Sequence, residues 1–214
     1  MKLYYSNTSP YSRKVRLMAL EKGLESEIEE ILVNPYSTGS AKDKLVSANP
    51  LGKIPTLELE DGKTLFDSPV ICEYLDGLSE DPILIPEEKR LDILWWQAIA
   101  DGMTDAAYNI TIERRTRPQE EQSVKWIENW TTEILRTLDY IETRINQMSP
   151  LNNQISLAHL ALASSISYLE FRVPEILFES KSSQKSVSPN TFEWYQNMQE
   201  RPSMQVTQLR EITS

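Results

Sequence analysis

The stretch from Asn49 to Ser68 constrains the fold more than any other part of this chain. It reads Asn-Pro-Leu-Gly-Lys-Ile-Pro-Thr-Leu-Glu-Leu-Glu-Asp-Gly-Lys-Thr-Leu-Phe-Asp-Ser. Leu57 and Leu59 alternate with Glu58 and Glu60, Asp61-Gly62 is a tight-turn signal, and Thr64-Leu65-Phe66 returns, so the pattern predicts a β-hairpin. Asp67-Ser68-Pro69 then opens a helix, with Ser68 expected as the N-cap and Pro69 as the first helical residue. A proline-flanked loop, a hairpin and a helix start are thereby folded onto one edge. Such an edge can grip a small peptide-like anion.

The segments before this stretch extend the pattern. Lys2 to Tyr5 reads as a strand, and Pro10 to Lys22 as a helix with Gly23 as its C-terminal stop. Ile28 to Val33 reads as a second strand, and Lys42 to Ala48 as one or two helical turns. With a helix from Pro69 to about Asp76 the order is βαβαββα. A helix between the first two strands implies a right-handed crossover and a parallel pair, and the hairpin adds antiparallel strands. The proline- and acid-containing stretch from Leu78 to Pro86 reads as a linker, and the remainder of the chain is expected to be helical. Arg90 to Glu113 forms one long helix. From Pro118 onward Ile127, Ile134, Leu138, Ile141, Ile145 and Met148 repeat at helical spacing. Ser156 to Phe171 is apolar all round and is expected to be central in its domain. A serine- and lysine-rich loop over 180–188, a short helix carrying Phe192 and Trp194, and a partly irregular tail complete the chain. The division is therefore 1–78, a linker over 79–86, and 87–214.

At 214 residues with 40% hydrophobic composition the chain can bury a real core. Its net charge of -10 gives no basic face, so nucleic acid is not an expected partner. No leader-like N-terminus and no run near the roughly 20 apolar residues of a membrane helix are present, so a cytoplasmic, non-membrane protein is expected. The single cysteine, Cys72, excludes an internal disulfide and a Cys-x-x-Cys redox pair.

Three positions carry candidate chemistry. Ser9-Pro10-Tyr11-Ser12 stands at the junction of the first strand and first helix. Unpaired amides and the helix dipole there stabilise an anion such as a thiolate, and a hydroxyl adds one donor. Ile54-Pro55 precedes a strand, where the backbone of Ile54 can pair with an extended peptide. Asp67-Ser68 can hold the zwitterionic head of an amino acid, with the hydroxyl and amides on the carboxylate and Asp67 on the ammonium. Each of these is also, taken singly, an ordinary helix start or strand start.

Their order and spacing are more specific. Ser9-Pro10-Tyr11-x-Arg13-Lys14-Val15-Arg16, then Asn49-Pro50-x-Gly52-Lys53-Ile54-Pro55, then Asp67-Ser68 with Ile71 and Tyr74-Leu75, resemble the cytosolic glutathione transferases. Looser matches continue through Asp101-Gly102, Glu113-Arg114-Arg115, Ser156-Leu157-Ala158 and Arg201-Pro202-Ser203, so the resemblance covers nearly the full length and points to bacterial, serine-dependent members. It implies a thioredoxin-like α/β N-terminal domain followed by an all-α helical-bundle domain. It also implies glutathione as co-substrate, no metal, a small hydrophobic electrophile as second substrate, a detoxification role and a homodimer. Residue by residue, Ile54 would pair with the cysteinyl part of the tripeptide ahead of a cis Pro55. Asp67 and Ser68 would hold the γ-glutamyl head, Lys53 would lie near the glycyl carboxylate, and Ser9 would activate the thiol. Ser12, Ser6 and Tyr5 stay open as alternatives to Ser9. Tyr108, Ile112 and Arg115 are candidates for the second substrate. Glutathione-dependent dehalogenation, isomerisation or peroxide reduction, and an interaction or stress protein with little catalysis, are the alternative functions.

The task implied for Ser9 is modest. A free thiol near pKa 8.5 needs about 2.7 kcal/mol to drop two units. One charge-assisted hydrogen bond supplies roughly 1.5–3 kcal/mol, and a helix N-terminus up to about 1 more. The only histidine, His159, departs from the resemblance. Relatives commonly carry aspartate there in a capping box, so its helix start is expected to be weaker by about 0.5–1 kcal/mol.

Overall fold

The computed structural model describes residues 1–148, 155–178 and 189–211; the loop expected over 180–188 lies outside them. The chain divides into two compact units, Met1–Lys89 together with Pro202–Ser214, and Arg90–Arg201.

The first unit has the expected βαβαββα order. The strands are β1 (Lys2–Tyr5), β2 (Glu29–Leu32), β3 (Thr56–Glu58) and β4 (Thr64–Leu65), and the helices α1 (Pro10–Glu21), α2 (Ser40–Ala48) and α3 (Ser68–Asp76). The sheet order is β2-β1-β3-β4. β1 pairs parallel with β2 and antiparallel with β3, which pairs antiparallel with β4. Leu3 lies opposite Leu57 in register and both are fully buried. Alternation turns Tyr4 to the other face, where it packs with Val33 and Leu45 under α2. The hairpin turn closes through the Gly62 amide on the Leu59 carbonyl, with Gly62 at φ +84°, a conformation glycine adopts without steric cost.

One helix start differs from expectation by a residue. Asp67, not Ser68, is the N-cap of α3, so Ser68 is the first helical residue and Pro69 the second. Asp and Ser cap equally well, and Pro fits the whole first turn, so the sequence leaves the register open.

The linker stretch is bound into this unit by a buried ion pair. Lys22 Nζ lies 3.2 Å from the Asp76 carboxylate, with the two side chains 0% and 9% exposed. The ammonium also donates to the carbonyls of Asp76, Ser79 and Pro82 at 2.9, 2.9 and 2.5 Å. The Asp76 carboxylate accepts from the amides of Leu84 and Ile85 at 2.8 and 3.0 Å.

The second unit is helical: α4 (Arg90–Thr116), α5 (Val124–Glu142), α6 (Leu157–Arg172), α7 (Pro174–Phe178) and α8 (Pro189–Gln199). α6 is buried at every position from Leu157 to Leu169, as its apolar circumference predicts. α5 begins at Val124 because Ser123 caps it, while Pro118 is extended at ψ 149°. Ile145 and Met148 fall beyond α5 in a 3-10 turn, yet both remain buried. The Glu142 carboxylate accepts from the backbone and side chains of Asn190 and Thr191, capping α8 from outside its own chain segment.

The capping box at the start of α6 is kept through His159. Its Nδ1 accepts from the Ser156 amide at 3.1 Å, so a neutral imidazole replaces the carboxylate of the capping box. Burial lowers its pKa to about 4, against a hydrogen bond to the Met148 carbonyl that opposes the shift. The unfolded chain therefore binds a proton near pH 6.5 that the folded chain refuses until about pH 4. The stability this group contributes is complete above pH 6.5 and falls as pH drops through that window. At pH 4.5 the loss is about 2–3 kcal/mol. Glutamine keeps an acceptor without a titration. Urea unfolding at pH 7 and pH 4.5 is thus expected to show a smaller acid loss in His159→Gln than in the wild type, by that amount.

Candidate functional site

Ser9, Ile54, Lys53, Asp67 and Ser68 all belong to the first unit, at the ends of elements rather than within them. Ser9 is the N-cap of α1. Its Oγ accepts from the Ser12 amide at 3.1 Å, and its carbonyl accepts from the Arg13 amide at 3.0 Å. A hydroxyl has one proton to donate, and accepting an amide leaves that proton for another partner. The helix dipole adds positive potential at the same point.

The alternatives to Ser9 occupy different surroundings. Ser6 Oγ is 2.9 Å from Thr8 Oγ1 and accepts from the Thr8 amide at 3.2 Å. Ser12 is 0% exposed and its Oγ has no hydrogen-bond partner among the described residues. The Tyr5 ring has the Arg16 guanidinium 4.7 Å from its centroid. Burial first, and then the Glu30 carboxylate, push its phenol up from the usual value despite Arg16.

The loop before Ile54 is organised by Asn49, a residue to which the sequence assigns no role of its own. Asn49 is buried, accepts from the Leu51 amide at 2.9 Å, and donates to the Lys53 carbonyl and Thr56 Oγ1, both at 3.0 Å. Gly52, at φ +60°, turns the chain between them, and Lys42 Nζ holds its carbonyl at 3.0 Å. The signal in the sequence is an amide side chain ahead of Pro-x-Gly, a composition of turns that bond their own backbone. Ile54–Pro55 is cis, as the resemblance implied, and Phe66–Asp67 and Asp81–Pro82 are cis as well. Among the described residues nothing pairs with the amide or carbonyl of Ile54, which is half-buried. Lys53 is exposed.

At the start of α3 the Asp67 carboxylate accepts from the Ser68 amide and is otherwise exposed. Ser68 is 0% exposed, and its Oγ has no partner among the described residues. A buried hydroxyl without a partner costs about 1–3 kcal/mol unless a ligand or water bonds it. Ile54 thus offers unpaired backbone, Asp67 an exposed carboxylate and Ser68 an orphaned hydroxyl, all on the first unit. Tyr108, Ile112 and Arg115 lie on α4 in the second unit, the first two half-buried and the third exposed. Cys72 is buried. No group of three potential metal ligands occurs among the described residues, and no described helix is long and apolar enough to cross a membrane.

The fold is that of the glutathione S-transferases. The family profile described as glutathione S-transferase, N-terminal domain, matches residues 8–78. The chain is 34% identical to the uncharacterized GST-like protein YibF of Escherichia coli K12, over 80% of this chain and 83% of that protein. It is 36% identical to a glutathione S-transferase of Methylobacillus flagellatus solved with glutathione bound, covering 96% and 98% of the two chains with a TM-score of 0.85. It is 30% identical to the maleylacetoacetate isomerase of Pseudomonas aeruginosa, over 66% and 69%. The chain belongs to the glutathione S-transferase family.

Proposed function

We propose that this protein conjugates the thiolate of glutathione to small electrophilic molecules, as a cytoplasmic homodimer. The observation that carries the reading is the orphaned Ser68 hydroxyl beside the exposed Asp67 carboxylate, on the same unit as the Ile54 backbone and the Ser9 cap. Ser68 and the first amides of α3 bond the γ-glutamyl carboxylate, and Asp67 faces the ammonium. Ile54 bonds the cysteinyl peptide as a neighbouring strand would, and Lys53 lies near the glycyl carboxylate. Ser9 donates its remaining proton to the sulfur. It holds charge at the thiolate and is not itself a nucleophile.

Isomerisation is the second reading, because a relative at 30% identity is a maleylacetoacetate isomerase. It uses the same ionised thiol as a catalyst that is regenerated, whereas conjugation consumes it.

Ser68→Ala separates binding from folding. The variant loses one hydrogen bond to a carboxylate, so its dissociation constant for glutathione is expected to rise about ten- to hundredfold. Removing an unsatisfied buried hydroxyl leaves the free protein as stable as the wild type, or slightly more so. Calorimetric titration with glutathione and thermal unfolding without it check the two halves. Retention of the wild type on immobilised glutathione, with turnover of a generic aryl halide, tests the activity. Neither retention nor turnover is the result that favours an interaction protein.

A further inference from the structure

The residues on either side of Ser9 are held by the segment 203–210. The guanidinium of Arg13, one turn into α1, is buried and donates through Nη2 to the Met204 carbonyl at 2.9 Å and through Nε to Thr207 Oγ1 at 3.3 Å. Met204 lies on α9 (Pro202–Val206). Thr207 Oγ1 in turn donates to the Ser203 carbonyl at 2.7 Å, and the Ser203 hydroxyl donates to Glu21 at the far end of α1. The segment thus runs along α1 and is bonded to it at both ends.

Three residues after Thr207, the Arg210 amide donates to the Asn7 carbonyl at 3.2 Å. Asn7 and Thr8 are the central residues of a turn that the Ser9 amide closes on the Ser6 carbonyl at 3.2 Å. Turns of types I and II differ by rotation of the peptide between those two residues. Here that peptide is fixed at both ends: Arg210 holds its carbonyl, and Ser6 Oγ accepts its N–H at 3.2 Å. Ser9 follows directly, and its own carbonyl accepts from the Arg13 amide.

We infer that residues 203–210 act as a positioning strap for the Ser9 hydroxyl, through the Asn7 carbonyl on one side and the Arg13 side chain on the other. The sulfur-facing proton of Ser9 has useful strength only within a narrow range of distance and angle. After Ser9 the backbone is fixed by α1, whose Arg13 the strap holds; before it the strap fixes the turn through Asn7. Arg210 acts through the Asn7 carbonyl and is a positioning residue. The inference rests on the proposed role of Ser9.

Arg210→Pro removes the amide donor at an exposed position outside any helix or strand. The expected result is a pH–rate profile for glutathione turnover displaced to higher pH. Turnover at pH 6.5 falls about three- to tenfold, the scale of one misaligned hydrogen bond. It recovers at high pH, and the KM for glutathione and the melting temperature stay at their wild-type values. Arg210→Ala keeps the amide and is expected to restore the wild-type profile. A profile of Arg210→Pro that superimposes on the wild type, while Ser9→Ala shifts it, overturns the strap and leaves the role of Ser9 standing. If Ser9→Ala itself leaves the profile unmoved, the role of Ser9 fails and the strap fails with it.

Discussion

Asp76→Ala is expected to lower the unfolding free energy by about 3–5 kcal/mol, the usual cost of leaving one partner of a buried ion pair behind. Two effects combine. The Lys22 ammonium, fully buried, loses the carboxylate opposite it and keeps the three carbonyls of Asp76, Ser79 and Pro82. The amides of Leu84 and Ile85 lose the oxygens that accept them. Each orphaned amide, if water does not reach it, costs about 1–3 kcal/mol. Thermal unfolding is expected to show a midpoint lower by on the order of 10 °C for a chain of this size. Asp76→Asn keeps one acceptor and loses less. Glu80→Ala, an exposed acid on the same stretch, is expected to stay within about 0.5 kcal/mol. A loss for Asp76→Ala no larger than that of Glu80→Ala contradicts the assignment.

Ser9→Ala is expected to cut turnover at pH 6.5 about five- to fiftyfold while the protein remains folded. The variant removes one hydrogen bond to a charged sulfur. The α1 dipole and first-turn amides stay, so ionisation of the thiol is weakened and not abolished. The loss therefore shrinks as pH rises toward the free thiol value near 8.5. Ser9→Thr keeps a hydroxyl on the same atom position and is expected to retain most of the activity. An unchanged profile in Ser9→Ala would move the role to Ser12, Ser6 or Tyr5. Two of these are less suited, since Ser6 already bonds Thr8 and the Tyr5 phenol is pushed up by burial and Glu30. Ser12 Oγ is buried without a partner among the described residues, as Ser68 Oγ is, and stays the open alternative.

Much of the first unit is legible in the sequence because its signals are local. Asp61-Gly62 names a turn, Ser9-Pro10 a helix start and Gly23 a helix stop, and each acts within a few residues. The α3 start slips by one residue because Asp67 and Ser68 are equally good caps. The ion pair of Lys22 and Asp76 is not legible, since its members stand 54 positions apart and each reads alone as an ordinary helix-end charge. The same holds for α9. A five-residue helix is unstable by itself, and this one is fixed by Arg13, nearly two hundred positions earlier. At His159 the sequence does not show that a neutral ring nitrogen accepts the amide that a carboxylate accepts in other capping boxes. At the candidate site residues the bonding is not legible. Nothing in Asp67-Ser68 announces that the serine hydroxyl is buried without a partner, or in Asn49-Pro50 that the amide holds the whole loop.

Titration of thiolate ultraviolet absorbance across pH, with glutathione bound to the wild type and to Ser9→Ala, tests most directly whether this unit binds glutathione and ionises its thiol through Ser9. The prediction is a bound thiol ionising about two units below the free value near 8.5 in the wild type, and about one to two units higher than that in the variant. A bound thiol that titrates at the free value in the wild type, or at the same lowered value in both proteins, contradicts it.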